Sequence, residues 1–97
     1  MYARVITFQA QAGKLEEAIA IYRDSIMPVT RQQKGFKNAT LLTDISTGKG
    51  VSITQWETEA DQKASETNGY LQQVLGKIGV TFAGPPIKEG FAVSVQV

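Results

Sequence analysis

Four segments of the chain are predicted to be β-strands, and the last of them alternates strictly with the two-residue period of a strand. They are Tyr2–Ala10, Phe36–Asp44, Val51–Glu57 and Ile87–Val97. The β-branched and aromatic residues in these segments favour extended structure. The polar residues 44–50, which include two glycines, predict that the second and third strands are joined as a hairpin.

The first segment between strands changes to the three- and four-residue spacing of an amphipathic helix that begins at Lys14. Proline lacks a backbone N–H and disfavours helix directly before itself, so Pro28 predicts a kink. A second short helical segment is then expected to run to about Lys34, where Gly35 ends it.

A second helical region is predicted after the third strand. Thr58 stands three residues before Asp61, the spacing of a capping box, so a helix is expected from about Glu59. Ala60 and Ala64 would allow this helix to pack closely on the sheet. The Asn68-Gly69 pair interrupts the region, and a further helical stripe is expected to end at Gly79.

The predicted order is strand, helix, strand, strand, helix, strand. This is the α+β, ferredoxin-like β-α-β-β-α-β arrangement, a four-stranded antiparallel sheet with its helices on one face. The length of 97 residues fits one domain, residues 1–97.

Apolar residues fall on both faces of the predicted strands, although the helices of this fold cover only one face. Whichever face is covered, the other must carry sets such as Val51 with Ile53, or Ala3 with Val5. Leaving several such residues in water forfeits several kcal/mol at about 25 cal/mol per Å². A second copy packed sheet to sheet would recover that energy, so a homodimer is expected. Loops and the C-terminal residues covering this face are the alternative.

The charge and composition exclude several function classes. Ten basic and nine acidic residues give a net charge of +1, and their scatter along the chain indicates no binding surface for nucleic acid or anionic membrane. There is no cysteine and no histidine, so proton transfer would depend on a carboxylate, tyrosine, lysine or water. With no signal-peptide core and no apolar run near the ~20 residues of a membrane span, a cytoplasmic location is expected.

Several motifs along the chain carry a resemblance to a known family. They are Gly13-Lys14-Leu15-Glu16, the helix with Pro28, Gly35-Phe36, Leu41-Leu42-Thr43-Asp44 with Gly48, and Ile53-Thr54-Gln55-Trp56-Glu57. Together they resemble the antibiotic biosynthesis monooxygenase (ABM) family of dimeric α/β-barrel proteins. The resemblance implies a homodimer whose sheets close into a barrel, with a pocket in each subunit between sheet and helices. It also implies oxygenation of aromatic polyketides or quinols without metal, flavin or other cofactor, the substrate anion itself reducing dioxygen.

Two catalytic candidates follow from the resemblance. Trp56 matches the tryptophan that lines the pocket of catalytic members. Ser52 stands where the polyketide-oxygenating branch has an asparagine. The haem-degrading branch needs an asparagine where Ile6 aligns, together with an iron-ligating histidine, so the sequence excludes that route. Relatives that handle small signalling aldehydes or ketones also commonly use a histidine, so the absence of histidine disfavours that function too.

Five further residues are candidates for substrate binding. Thr54 shares the face of Ser52 and Trp56 and offers a hydroxyl, although such hydroxyls in strands often serve only the backbone. Arg4 would stabilise a phenolate; pairing with Glu89 or Asp44, or exposure at the strand end, is the alternative.

The remaining three candidates carry a hydroxyl or an amide. Tyr22 lies on the buried stripe of the first helix, so its hydroxyl needs a partner and reaches toward the cavity or packs in the core. Tyr70 follows the Asn68-Gly69 break, where a lid is expected. Asn38 offers an amide to a carbonyl oxygen, or caps its own strand.

The rival function is a non-catalytic ligand-binding or stress-associated dimer.

Overall fold

The computed structural model describes residues 1–97. Four strands, β1 (Tyr2–Gln9), β2 (Phe36–Asp44), β3 (Lys49–Trp56) and β4 (Ile87–Ala92), form one antiparallel sheet in the order β2-β3-β1-β4. All helices lie on one face, so the predicted α+β, ferredoxin-like fold is confirmed. None of these helices combines the length and apolarity that a bilayer crossing requires.

The first helical region contains a π-helical turn directly before the segment that carries Pro28. Helix α1 (Leu15–Ile21) continues into the wide turn Tyr22–Ile26 and then into the short helix α2 (Met27–Thr30). Pro28 occupies the first turn of α2, where its missing N–H costs little. The predicted extension to about Lys34 is wrong, because α2 ends at Thr30 and residues 31–34 are turns.

The second helical region divides where the sequence predicts. Helix α3 (Glu59–Thr67) starts with the Thr58 hydroxyl accepting a hydrogen bond from the Asp61 amide at 3.0 Å. Gly69, at φ 90°, separates it from α4 (Tyr70–Ile78), and the 3₁₀ turn Gly79–Thr81 follows.

The face that α3 buries differs from the prediction. Ala60 and Ala64 are exposed, whereas Gln62 and Ser65 are buried against the sheet. The reason is the charged Arg4 side chain beneath this helix, which needs polar partners that alanine cannot supply.

Alternation along β1 and β3 directs a row of side chains toward the helices. Arg4, Ile6 and Phe8 are buried there. Across the ladder, Arg4 pairs with Thr54, Ile6 with Ser52, and Phe8 with Gly50. A Cβ at Gly50 would stand only 2.2 Å from the Phe8 ring, so this close approach requires glycine.

The last strand is shorter than predicted. Strand β4 ends at Ala92, opposite Tyr2, and the Val93 amide makes one further bond to the Met1 carbonyl. The alternation from 93 to 97 therefore describes residues whose backbone has no neighbouring strand, and Val95 and Val97 are exposed.

The opposite face of the sheet is uncovered by helices and is largely apolar. Val5, Ile53 and Val51 line its centre and are half-buried, while Leu42, Ile87 and Phe91 are at least half exposed. The C-terminal residues reach this face only at its edge, where the Gln96 amide donates to Gln55 Oε1 at 3.3 Å. They leave the central valine and isoleucine side chains uncovered.

Candidate functional site

Two adjoining chambers of about 30 Å³ each lie between the sheet and the helices. Five residues line both of them: Ile6, Tyr22, Ile26, Ser52 and Val74. The apolar chamber is completed by Phe8, Leu75, Ile78 and Phe82. The polar chamber is completed by Arg4, Met27, Thr54, Tyr70 and Leu71. Each volume accommodates one or two waters but is far below the ~300 Å³ of a typical ligand pocket.

Five of the seven predicted site residues meet at the polar chamber. Arg4, Ser52 and Thr54 come from the sheet, Tyr22 from the π-helical turn and Tyr70 from the start of α4. The arrangement places three kinds of hydroxyl group around one guanidinium in a largely buried space. Such a chamber offers hydrogen-bond donors to an oxygen atom that carries negative charge.

A hydrogen bond between helix and sheet marks the boundary of the two chambers. The Tyr22 and Ser52 hydroxyls are 2.9 Å apart, and both residues line both chambers. The hydroxyl of Tyr70 donates to a different partner, Thr30, whose own proton is donated to the Ile26 carbonyl at 2.9 Å. The phenol groups are thus held by single partners.

Arg4 is 2% exposed and is held from one side of its guanidinium group. Its Nη1 donates to Ser65 Oγ at 2.8 Å and to the Gln62 carbonyl at 3.4 Å, and lies 3.6 Å from Glu66 Oε2. Its Nε has no partner. Pairing with Glu66, rather than with Glu89 or Asp44, corrects the alternative drawn from the sequence, because Glu89 lies on the opposite face of the sheet across from Val5.

The charges around Arg4 leave a net positive charge. Glu66 also forms an ion pair with Lys88 through Oε1 at 2.5 Å, so one carboxylate serves two cations. Burial alone would raise the pKa of Glu66, but the hydrogen bond and charge of Lys88, with the charge of Arg4, hold it below its usual value. Burial lowers the pKa of Arg4, partly offset by Tyr70 and Glu66.

The two tyrosines of the polar chamber are held in their neutral, protonated form. Burial raises the pKa of Tyr22, against the opposing effect of its hydrogen bond with Ser52. Burial likewise raises the pKa of Tyr70, opposed by its Thr30 hydrogen bond and the Arg4 charge. Both phenols therefore remain protonated at neutral pH and can donate hydrogen bonds.

Trp56 lies behind the polar chamber rather than on its wall. The side chain is fully buried, its indole Nε1 donates to Thr54 Oγ1 at 3.0 Å, and the ring of Phe36 meets it edge-on at 5.8 Å. The Arg4 guanidinium carbon stands 5.1 Å from its ring centroid. Trp56 thus orients two chamber residues, Arg4 and Thr54.

Asn38 is separated from the other candidates by a β-bulge. The register of β2 against β3 shifts between Phe36, opposite Trp56, and Asn38, opposite Gln55. The extra residue moves Asn38 to the uncovered face, where its amide donates to Gln55 Oε1 at 3.0 Å. The structure therefore places Asn38 outside both chambers.

Sequence reasoning missed the residues on α3 that hold Arg4. Gln62, Ser65 and Glu66 occupy one face of the helix at three- and four-residue spacing, and Gln62 and Ser65 are each 2% exposed. A buried arginine on a central strand signals that a polar helix face must cover it. That signal was available in the sequence once Arg4 had been assigned to the covered face.

Comparison with known proteins identifies relatives of the chain. Residues 1–76 match the family model described as antibiotic biosynthesis monooxygenase. The uncharacterized protein Rv2557 of Mycobacterium tuberculosis is 29% identical over 96 residues, covering 99% of this chain and 42% of that protein. The chain spans only about a third to two fifths of the length of the curated relatives it matches.

Solved structures share the fold at low sequence identity. SnoaB, a cofactor-independent oxygenase from Streptomyces nogalater, superposes with a TM-score of 0.80 at 16% identity, covering 99% of this chain and 95% of that one. The ActVA-Orf6 monooxygenase of Streptomyces coelicolor, solved with nanaomycin D, gives a TM-score of 0.76 at 19% identity, covering 99% and 89%. These likenesses establish the fold.

Proposed function

The chain belongs to the antibiotic biosynthesis monooxygenase family, and on that premise we propose that it is a cofactor-independent monooxygenase of small aromatic or quinol-type molecules. The observation that carries the proposal is Arg4, a buried cation on the wall of the polar chamber with a free Nε donor. A cation in a dry site stabilises a phenolate or enolate, the form of the substrate that reduces dioxygen.

The proposed reaction needs no external reductant. An anthrone-type substrate loses a ring CH proton, and its anion passes an electron to dioxygen. The radicals combine to form a carbon–oxygen bond, and loss of water from the resulting peroxide leaves a carbonyl group. One oxygen atom enters the product and the other leaves as water, so the substrate supplies all the electrons.

The residues of the polar chamber have defined roles in this proposal. Arg4 lowers the pKa of the bound substrate, and the protonated Tyr22 donates to its oxygen atom in place of its bond with Ser52. Tyr70 already donates to Thr30 and would donate to the substrate only by giving up that bond. Their raised pKa values keep both phenols protonated at neutral pH, so neither can accept the substrate proton, which passes to water. Ser52 and Thr54 position the oxygen, and Trp56 fixes Arg4 and Thr54 from behind.

We further propose that residues 1–97 act as one domain and that two copies pair through the uncovered sheet face. The apolar side chains at the centre of that face favour this arrangement, because burying them recovers about 25 cal/mol per Å². Ile53→Lys would place a charge at the centre of the interface. Sedimentation should show a dimer for the natural chain and a monomer for this variant; the same monomer for both would refute the pairing.

Oxygen uptake tests the enzymatic proposal. A panel of quinols and anthrones should consume one dioxygen per molecule of product. Arg4→Gln should slow turnover about 10- to 100-fold, since a charge-assisted hydrogen bond contributes about 1.5–3 kcal/mol. Arg23→Gln, which removes an exposed arginine paired only with Asp24, is the matched control and should leave the rate unchanged.

Two further variants separate the proposal from its rival. Ser52→Ala and Trp56→Phe should each reduce turnover, because one removes a hydroxyl of the chamber and the other loosens Arg4. Turnover undiminished by both changes would place the reaction elsewhere. Saturable binding of the panel without any oxygen uptake would favour the non-catalytic ligand-binding dimer.

A further inference from the structure

A surface cleft adjoins the apolar chamber at the end of α4. The cleft has a volume of about 360 Å³ and is lined by Leu75, Gly79, Phe82, Ala83, Gly84 and Pro86. Leu75 and Phe82 line the apolar chamber as well. These two half-buried side chains therefore form the partition between the cleft and the interior.

The cleft, the apolar chamber and the polar chamber follow one another in series. The second partition is the hydrogen bond between Tyr22 and Ser52, whose residues line both chambers. Arg4, whose buried Nε has no partner, lines the polar chamber beyond it. A ligand that displaced Phe82 and then Tyr22 would pass from solvent to the guanidinium without crossing the sheet.

We propose that these three spaces form a single access path and binding site for an elongated monoanion, with Leu75 and Phe82 as the outer gate and Tyr22 and Ser52 as the inner gate. The charged oxygen of the ligand binds Arg4, and its apolar body occupies the space that the apolar chamber gains when Phe82 and Tyr22 are displaced, and reaches the cleft. This inference rests on the proposed function for the location of the site, but it concerns binding and not turnover.

The charge and lining of the path select the ligand class. Arg4 shares the one carboxylate of Glu66 with the half-exposed Lys88, so its buried charge is only partly balanced and a single negative charge on the ligand complements it. Eight of the nine residues around the apolar chamber are hydrophobic, so a second charge on the ligand body would lose its hydration without a partner. A neutral carbonyl can accept a hydrogen bond from the Arg4 Nε donor, but a charged oxygen forms the stronger, charge-assisted bond.

Few specific contacts hold the side chains of the two gates. Phe82 follows the Gly79–Thr81 turn and is held on the interior side by stacking on Phe8, with ring centroids 4.8 Å apart. Tyr22 belongs to the π-helical turn, and its hydroxyl has the single partner Ser52. Opening the path therefore breaks one ring stack and one hydrogen bond and loosens the packing of Phe82 and Tyr22 against the core.

Two naphthoquinones test the ligand class on the natural chain. The probe 2-hydroxy-1,4-naphthoquinone is ionised at neutral pH, whereas its 2-methoxy ether has the same body and no charge. Calorimetric titration under nitrogen should show at least about tenfold tighter binding of the anion, the lower end expected for a hydrogen bond to a charged group. Equal affinities would overturn the inference without the use of any variant.

Two pairs of variants test the path. Arg4→Gln should abolish the preference for the anion, and the control Arg23→Gln should retain it. Phe82→Ala should raise the association and dissociation rates of the anion several-fold in stopped-flow measurements, while Val80→Ala, an exposed residue of the same turn, should not. Rates that are unaffected by Phe82→Ala would exclude this gate.

The outcomes separate this inference from the enzymatic proposal. Anion-selective binding that depends on Arg4, with no oxygen uptake, would support the binding site and refute the monooxygenase. Oxygen uptake together with binding that does not depend on ligand charge would support the monooxygenase and refute the anion-binding site.

Discussion

The ion pair of Arg4 and Glu66 should respond unequally to removal of its two members. In Glu66→Gln the buried guanidinium loses its only carboxylate, a change that costs about 3–5 kcal/mol when a buried pair is broken. Because Glu66 is 20% exposed and Ser65 still binds Arg4 Nη1, we expect a loss somewhat below this range, about 2–3 kcal/mol.

Arg4→Met should cost less than the loss of Glu66. The carboxylate then keeps Lys88 and the Gln62 amide as partners, and the Ser65 hydroxyl still donates to the Gln62 carbonyl at 2.6 Å. Methionine retains an apolar stem against Trp56. The expected loss is about 1–2 kcal/mol, the value of the Nη1 hydrogen bonds.

Urea denaturation at fixed protein concentration measures both free energies of unfolding. A difference of 1 kcal/mol corresponds to about 4–8 °C in the melting temperature of a domain this size. Asp24→Asn and Arg23→Met break an exposed pair of the same chemistry and should leave the free energy of unfolding unchanged. If Arg4→Met lowered the free energy of unfolding more than Glu66→Gln, the conclusion that Arg4 depends on Glu66 more than Glu66 depends on Arg4 would be refuted.

The pH dependence supplies an independent check. The pKa of Glu66 is depressed in the folded chain, so its contribution is complete above the ordinary value of 4.5 and is lost as the pH falls through the lower, folded value. The difference between the natural chain and Glu66→Gln should therefore narrow below pH 4.5. A difference that widens in acid would contradict this charge assignment.

Three further outcomes are expected. A double-mutant cycle of Tyr22→Phe and Ser52→Ala should give a coupling free energy of about 1 kcal/mol in thermal or urea unfolding, since the two hydroxyls bind each other. Additive effects would mean that the bond does not form. In an absorbance titration, Tyr22 and Tyr70 should ionise only above pH 10, because burial raises both pKa values, and stability should fall as the pH rises beyond that point. An earlier phenolate signal would contradict their burial. Thr58→Ala should lose about 1 kcal/mol by removing the cap of the Asp61 amide, whereas Thr58→Ser should lose little.

Local signals in the sequence predicted most of the elements. The cap at Thr58, the break at Gly69 and the helix interruption before Pro28 each depend on one or two neighbouring residues, so their effects are readable without the fold. The end of β4 is different, because a strand continues only where another backbone pairs with it. Alternation from 93 to 97 carries no information about that partner.

Periodicity also predicted most of the polar chamber. The two-residue period places Arg4 with Ile6 on one face of β1, and Ser52 with Thr54 on one face of β3, as the structure confirms. Asn38 escaped this reasoning because a bulge reverses the face of a strand without a clear sequence signal. The buried face of α3 was predicted wrongly. Ala60 and Ala64 were expected to pack on the sheet because they are small and apolar, and the need of the buried Arg4 for polar partners was not considered.

The position of Arg4 above the indole of Trp56 gives the chain an internal optical sensor. The emission of an indole ring shifts with the electric field across it, and a cation 5.1 Å from the ring centroid is a large local source of field. The chain has no other tryptophan. A shift of the tryptophan emission maximum therefore reports the surroundings of Trp56 alone. An anion that binds Arg4 would change the emission wavelength of Trp56 even without contacting the indole ring.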